Sequence, residues 1–251
     1  MISFSHALVT GGGSGIGEAI AVALAEAGVA VTVCGRRKDE LDRVAARSEL
    51  ISAAVADVTD EASIAAVHQN AAKAGKPFDI VVANAGIALS SPAHRTSLAD
   101  WQKTIDVNLT GSFLTVKPAL AGMAERKAGR IIFIASIAGL RGGAYIAPYV
   151  ASKHGVVGLT RALAIELAKT GVTVNAVCPG FVETPMVEQS VRRIVEKTGR
   201  SADDALGSLV ATNPQGRLIT PGEVADTVMW LVSDGARSVN GQAISISGGE
   251  V

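Results

Sequence analysis

Cysteine is scarce: the 251 residues contain two, Cys34 and Cys178. Both stand in apolar runs that read as buried strands, and no paired spacing suggests a disulfide framework or a metal site. A reducing, cytoplasmic setting is expected, with no bound metal. Aromatics are also few, two Trp, two Tyr and five Phe, so a large stacking pocket is not indicated. Neither sign of charge is in excess, with 23 basic and 23 acidic side chains. That balance argues against a nucleic-acid footprint and against a charged tail. No apolar run reaches the length of a membrane span, and the alanine-rich stretch at 20–27 is far too short. The opening residues, from Met1 to His6, lack a basic region followed by an apolar block, so no secretory leader is expected. Repeats and low-complexity segments are absent. What is abundant is apolar residues, 48 % of the chain. That is enough for a large buried core in a single α/β domain spanning 1–251.

The chain alternates strand and helix. An apolar run, Ala7-Leu8-Val9, leads into Thr10-Gly11-Gly12-Gly13-Ser14-Gly15-Ile16-Gly17, and apolar residues at helical spacing follow. A glycine loop between a strand and a helix start lets backbone amides approach a pyrophosphate. The next strand, 29–34, closes a strand–helix–strand unit of the expected size. Where an NAD-binding protein usually carries a carboxylate for the ribose, this chain has Gly35, Arg36, Arg37 and Lys38. Two guanidinium forks suit a 2′-phosphate, which points to NADP over NAD, although Asp39 and Glu40 stand close enough to compete. Further helices are expected at 39–47 and 61–74, and further strands at 51–55 and 79–82. Asp57, followed by Val58, could accept from an adenine amine or cap the next helix. The pattern implies a doubly wound parallel sheet with helices on both faces.

The stretch 98–126 reads as one long helix or two abutting ones. Within it Asp106-Val107-Asn108-Leu109-Thr110-Gly111 is poor helix material. A polar kink there could free a backbone carbonyl for water. A strand at 130–135 ends at Ser136, and a glycine-containing loop leads to Tyr149-Val150-Ala151-Ser152-Lys153. A tyrosine and a lysine four residues apart share one helix face. An ammonium beside a phenol favours the phenolate and lowers its pKa, so the pair can give or take a proton. The helix is expected to run to about 169. Its small residues Ala151, Gly155 and Gly158 would let another helix approach. A strand at 172–177 is broken by Cys178-Pro179-Gly180, and the polar, poorly periodic segment 183–217 reads as a substrate lid. Its cations Arg192, Arg193, Lys197 and Arg200 are candidates for carrier phosphates, or simply a solvated face. A helix at 221–231 and a last strand at 243–246 complete the chain.

In this order, Thr10-Gly-x-x-x-Gly15-x-Gly17, Asn84-Ala85-Gly86, Asn108, Ser136, Tyr149-x-x-x-Lys153 and Pro179-Gly180 resemble the motif set of the short-chain dehydrogenase/reductase family. The runs 147–158 and 173–186 are similar to those of bacterial polyketide ketoreductases and β-hydroxyacyl thioester dehydrogenases. The resemblance implies a Rossmann-type sheet of seven strands. It also implies hydride transfer between a nicotinamide and a carbonyl or alcohol, and commonly a homotetramer built through the helix carrying Tyr149. By that likeness Tyr149 exchanges the hydroxyl proton and Ser136 hydrogen-bonds the same oxygen. Lys153 holds the nicotinamide ribose, and Asn108 holds a water linking Lys153 to solvent. The cofactor would meet Thr10, Gly11, Ser14, Gly15, Ile16, Gly17, Arg36, Arg37, Asp57 and Val58. It would also meet Asn84, Ala85, Gly86, Tyr149, Lys153, Pro179, Gly180, Val182 and Thr184, with Thr184 at the carboxamide. Ala83 stands where many members carry a second asparagine, and it simply extends the preceding strand.

Three functions compete. The first is an NADP(H)-dependent ketoreductase acting on a small carbonyl substrate, with a CoA or carrier thioester as one form. The second is an NAD-dependent catabolic hydroxyacyl-CoA or alcohol dehydrogenase. The third is a non-catalytic cofactor-binding regulator, which would be expected to have lost Tyr149 or Lys153; both are present.

Overall fold

The structure is a computed structural model that describes residues 2–251. Seven parallel strands form one sheet in the order β3-β2-β1-β4-β5-β6-β7. They are β1 His6–Thr10, β2 Ala30–Gly35, β3 Ile51–Val55, β4 Ile80–Ala83, β5 Gly129–Ile134, β6 Val172–Pro179 and β7 Ala243–Ile246. The helices α1 Gly15–Glu26, α2 Lys38–Ala45, α3 Glu61–Lys73, α4 Leu98–Ile105, α5 Gly111–Arg126 and α6 Ala147–Glu166 connect the first six strands. Three more, α7 Pro185–Thr198, α8 Ala202–Val210 and α9 Pro221–Val232, lie between β6 and β7.

Strand residues alternate between the two faces. Ala7, Val9, Val31, Val33, Ile80, Val82 and Ile132 join one apolar cluster; Leu8, Val81, Ile131 and Phe133 join the other. Helices cover both clusters, which is why the central strands read as unbroken apolar runs. Losing one such fully buried side chain, Phe133 for example, would cost about 3–5 kcal/mol. The chain leaves β1 in one direction along the sheet and β4 in the other, so a crevice opens at their carboxyl ends. The glycine loop and Asn84 both emerge there.

The 98–126 segment is one rod of two abutting helices, and the expected irregularity within it is a π-turn at Asp106–Thr110 between α4 and α5. Two local readings are corrected. β6 does not stop at Cys178: Cys178 and Pro179 continue the ladder opposite Ser245 and Ile246, and the proline is tolerated as the strand's last residue. The segment 183–217 is not irregular but carries α7 and α8. Ala83 extends β4 and pairs with Phe133, as expected. Among the described residues no helix is long and apolar enough to cross a membrane, and no group of three His, Cys, Asp or Glu could hold a metal ion.

His68 on α3 is buried, with its Nε2 3.0 Å from the Thr115 carbonyl and its ring edge-on to Phe78. Burial holds its pKa below the ordinary histidine value, against the opposing bond to Thr115. The folded state therefore resists a proton that the unfolded chain accepts. Stability should be full above about pH 6.5 and fall below it, by up to about 1.4 kcal/mol per pH unit, until the folded value is reached. Denaturant unfolding of wild type and His68→Gln at pH 7.5 and 5.5 checks this. The variant should lose less stability on acidification, and parallel losses would assign the acid sensitivity elsewhere.

Candidate active site

The crevice begins with a braced loop. Gly11 and Gly15 adopt left-handed backbone angles, φ 65° and 56°, that only glycine takes without strain. Asn84 Nδ2 donates to the carbonyls of Thr10 at 2.9 Å and Gly11 at 3.3 Å. In return the backbone N–H groups of Asn84 and Ala85 donate to Thr10 Oγ1. A Cβ at Gly17 would collide with the Gly11 carbonyl and Asn84 Nδ2, so only glycine fits there. Ser14 sits at the N-cap of α1 without a side-chain cap bond, leaving first-turn amides at the positive helix end free of side-chain partners. That uncapped terminus behind a glycine cradle fits a pyrophosphate. Thr184 packs onto the same loop: a Cβ on Gly15 would stand 3.0 Å from its Cγ2. Nearby, Val182 is buried and bridges to Ile219.

Arg36 and Arg37 follow β2 beside this loop. Arg37 Nη2 reaches Ser14 Oγ at 3.4 Å and lies 3.7 Å from Glu40 through Nη1; Arg36 lies 3.8 Å from Asp57. Asp57 accepts from the Thr59 N–H and hydroxyl, which with Arg36 hold its carboxyl below the usual range against partial burial. It does not cap α3. Asp60 does, accepting from the N–H groups of Ala62 and Ser63. Val58 is buried against the π-turn exit at Gly111, where a Cβ would meet it at 2.8 Å.

At the other end of the crevice stands Lys153, 4 % exposed. Its Nζ donates to the Ile134 carbonyl at 2.8 Å and lies 5.7 Å from the centre of the Tyr149 ring. Asn108 is fully buried inside the π-turn. Its Oδ1 accepts from Ile87 N at 2.8 Å, and its Nδ2 donates to Ile87 O and Ser152 Oγ, both at 3.0 Å. The backbone carbonyl of Asn108 accepts the Ser112 hydroxyl at 2.6 Å. Gly86 separates Asn108 and Lys153: a Cβ there would stand 3.4 Å from Asn108 Oδ1 and 3.7 Å from Lys153 Nζ. Ser136 follows β5, donates to the Pro179 carbonyl at 3.5 Å and accepts from Ala138 N at 3.1 Å. Gly180 continues from β6 by donating to Ile246 O.

Electrostatics depart from expectation at one point. Burial pushes the Tyr149 phenol above its ordinary pKa, with Ser136 opposing, and the ammonium does not lower it. Burial likewise brings Lys153 down to about 8. Lys153 is buried and its ammonium donates to the Ile134 carbonyl, whereas the Tyr149 residue is only half-buried. The small residues on α6 let another helix approach, as expected, at Gly155. Gly155 makes room for Leu109 of the same chain, against whose Cδ2 a Cβ would stand at 2.7 Å, whereas Gly158 faces open space. Among the cations of the 183–217 segment, Arg193 donates to Ala88 O at 2.6 Å, Lys197 to Ser90 O at 2.9 Å and Arg200 to Asp204 O at 3.1 Å. Those three are held within the chain and do not form a free patch for phosphates.

Four participants escape the sequence motifs. Ile134 contributes only a backbone carbonyl and carries no signal. Ser152 lies inside the Tyr-x-x-x-Lys motif and is spent on Asn108 and on the Tyr149 carbonyl. Gly139 lets the loop after Ser136 press against α6, where a Cβ would stand 2.7 Å from Lys153 O. Cys178 is fully buried beneath Ser136, and burial pushes its thiol up to about 11 despite the Ser136 N–H.

Comparison with known proteins agrees with this geometry. The family model described as short chain dehydrogenase matches residues 5–194. The chain is 38 % identical to D-beta-hydroxybutyrate dehydrogenase of Cupriavidus necator, covering 100 % of this chain and 99 % of the relative. It is also 38 % identical to the (2S)-[(R)-hydroxy(phenyl)methyl]succinyl-CoA dehydrogenase subunit BbsD of Thauera aromatica, covering 97 % and 95 %. Among solved structures, a point variant of actinorhodin polyketide ketoreductase with NADPH superposes with a TM-score of 0.94 at 39 % identity, covering 100 % and 99 % of the two chains. With the glycine cradle, the Ser136–Tyr149–Lys153 cluster and the parallel seven-stranded sheet in one molecule, the chain belongs to the short-chain dehydrogenase family of nicotinamide-dependent oxidoreductases.

Proposed function

We propose that the protein is an NADPH-dependent ketoreductase that reduces a β-ketoacyl thioester or polyketide-type ketone to the secondary alcohol. The observation that carries this reading is the juxtaposition of Ser136, Tyr149 and a buried Lys153 at one end of a crevice whose other end presents two arginines. The bound nicotinamide supplies the hydride. Tyr149, kept as the neutral phenol by burial, donates the proton to the developing alkoxide. The Ser136 hydroxyl donates to the same oxygen, as an oxyanion donor does. Lys153 would hold the nicotinamide ribose, and Asn108 would hold a water linking Lys153 to solvent. Arg36 and Arg37 would receive the 2′-phosphate, Asp57 with Val58 would meet the adenine, Thr184 would meet the carboxamide, and Pro179, Gly180 and Val182 would complete the cofactor site. A thioester substrate is in keeping with the CoA-linked relative, and NADPH with the bound form of the ketoreductase structure. The segment 183–217 serves as the substrate lid of the single domain. A homotetramer in a reducing, cytoplasmic setting would cover Leu98, Trp101 and Phe113, which are exposed on α4 and α5.

NAD dependence draws support from the carboxylates that already attend the two arginines. Both pairs are exposed and longer than a hydrogen bond, and such pairs contribute about 0–1 kcal/mol. A phosphate making charge-assisted, bidentate contacts would displace them readily. Replacing both arginines by leucine should raise the KM for NADPH at least tenfold and leave that for NADH within twofold. Equal effects on the two cofactors would return both residues to ordinary surface charge.

Tyr149→Phe should lower turnover at least a thousandfold while NADPH still binds, measured by fluorescence titration. Retained turnover would remove the proposed proton donor. The pH dependence follows from burial. The Tyr149 phenol stays protonated through neutrality, and Lys153 loses its charge as the pH rises through about 8. kcat/KM for NADPH should therefore be level below about pH 8 and fall about tenfold per unit above it, because that ratio reports the cofactor-free enzyme. A profile level to pH 10 would contradict the role given to Lys153.

A further inference from the structure

Three segments meet beside the crevice: the loop after Gly86, the loop between Ser136 and α6, and α7. Each begins at a group placed in the crevice, and each is tied to the next by a contact that the proposed chemistry does not require. Arg193 and Lys197, one turn apart on α7, donate to the carbonyls of Ala88 and Ser90. Ser91 N donates to the Tyr145 carbonyl at 2.8 Å, which joins the first loop to the second. Tyr145 holds a left-handed backbone, φ 66°, although it is a bulky residue and its side chain is exposed. Such a conformation persists only where the surroundings enforce it. At the far side of the same loop Arg141 forms an ion pair with Glu250. The Glu250 side chain is 6 % exposed; its Oε2 has no partner and faces Gly180, where a Cβ would stand 3.5 Å away. A buried carboxylate with one oxygen unpaired is costly to keep. Here it fastens the loop to the carboxyl ends of β6 and β7.

We propose that Glu250 and Arg193 are positioning residues at the two ends of a belt, Glu250–Arg141, Tyr145–Ser91 and Ala88–Arg193, that fixes the substrate rim of the crevice. This rests on the ketoreductase reading for its kinetic consequence but not for its structural one. The belt touches neither the glycine cradle nor Lys153 and meets the cofactor residues only at Gly180, so its main effect falls on how the ketone is seated. It also gives the α7 cations a task different from phosphate binding: they hold carbonyls and set the lid against the loop that follows Gly86.

The test uses Glu250→Gln, Arg141→Met, Arg193→Met and Arg193→Lys in the full chain, with Lys117→Met, which breaks a surface pair with Glu61, as control. Two readouts are taken: amide hydrogen exchange at Ser91 and residues 141–146, and steady-state reduction of acetoacetyl-CoA with a separate titration of NADPH binding. Glu250→Gln, Arg141→Met and Arg193→Met should speed exchange at Ser91 at least tenfold. They should raise KM for the thioester about tenfold, with kcat and NADPH affinity within twofold. Arg193→Lys should recover most of both effects, and Lys117→Met should match wild type. Unchanged exchange at Ser91 in Glu250→Gln and Arg141→Met would overturn the belt whatever the kinetics. Faster exchange with an unchanged KM would overturn its positioning role. A wild-type protein that reduces no ketone would instead count against the ketoreductase reading, and the exchange data would still decide the belt.

Discussion

Much of this molecule answers to one constraint, the burial of the Lys153 ammonium at the carboxyl edge of the sheet. Among the described residues no carboxylate lies within ion-pair distance of it, and its one hydrogen-bond acceptor is the Ile134 carbonyl at the end of β5. A charge held by dipoles alone tolerates little displacement, because the penalty for an unpaired buried charge is steep. The neighbours meet that demand by leaving space and by holding still. Gly86 has no side chain where one would crowd Nζ, Gly139 lets the Ser136 loop close over the helix, and Asn108 spends its side chain on Ile87 and Ser152. The π-turn is what puts Asn108 there. One wider turn in the 98–126 rod brings a polar side chain inward among apolar ones without ending the helix.

The sheet supplies the rest. Its direction reverses between β1 and β4, and at that gap Asn84 bonds two carbonyls of the glycine loop while Thr10 receives two amides in return. The cradle at one end and the cluster at the other are thus fastened to adjacent strands of a single rigid core. Burial then shifts the cluster's two ionisable groups, raising the phenol of Tyr149 and lowering the ammonium of Lys153.

Much of this was legible in the residues. Strands packed on both faces leave unbroken apolar runs, and a glycine loop between a strand and a helix has few other uses. Legibility ended where a feature depends on what comes near in space. Gly155 marks a close approach, but nothing in the spacing says that Leu109 of the same chain fills it. Asp57 and Asp60 both look like caps, and only the backbone geometry chooses Asp60. The helix α7 has Val187, Val191, Ile194 and Val195 at helical spacing, a period obscured by the charged residues between them. The lowering of the Tyr149 pKa by Lys153 follows from sequence proximity, whereas the structure turns the ammonium to a carbonyl and leaves burial dominant. The partners that carry no side-chain signal, Ile134 O and the Ala88 and Ser90 carbonyls, could not be read at all.

The most direct measurement is the consumption of NADPH and NADH, side by side, with acetoacetyl-CoA as the ketone. The account predicts rapid oxidation of NADPH and a kcat/KM at least tenfold lower with NADH, since only the former carries the phosphate that the proposed Arg36–Arg37 site would receive. A preference for NADH would contradict it and would recast the protein as an NAD-dependent dehydrogenase whose arginines are surface charge.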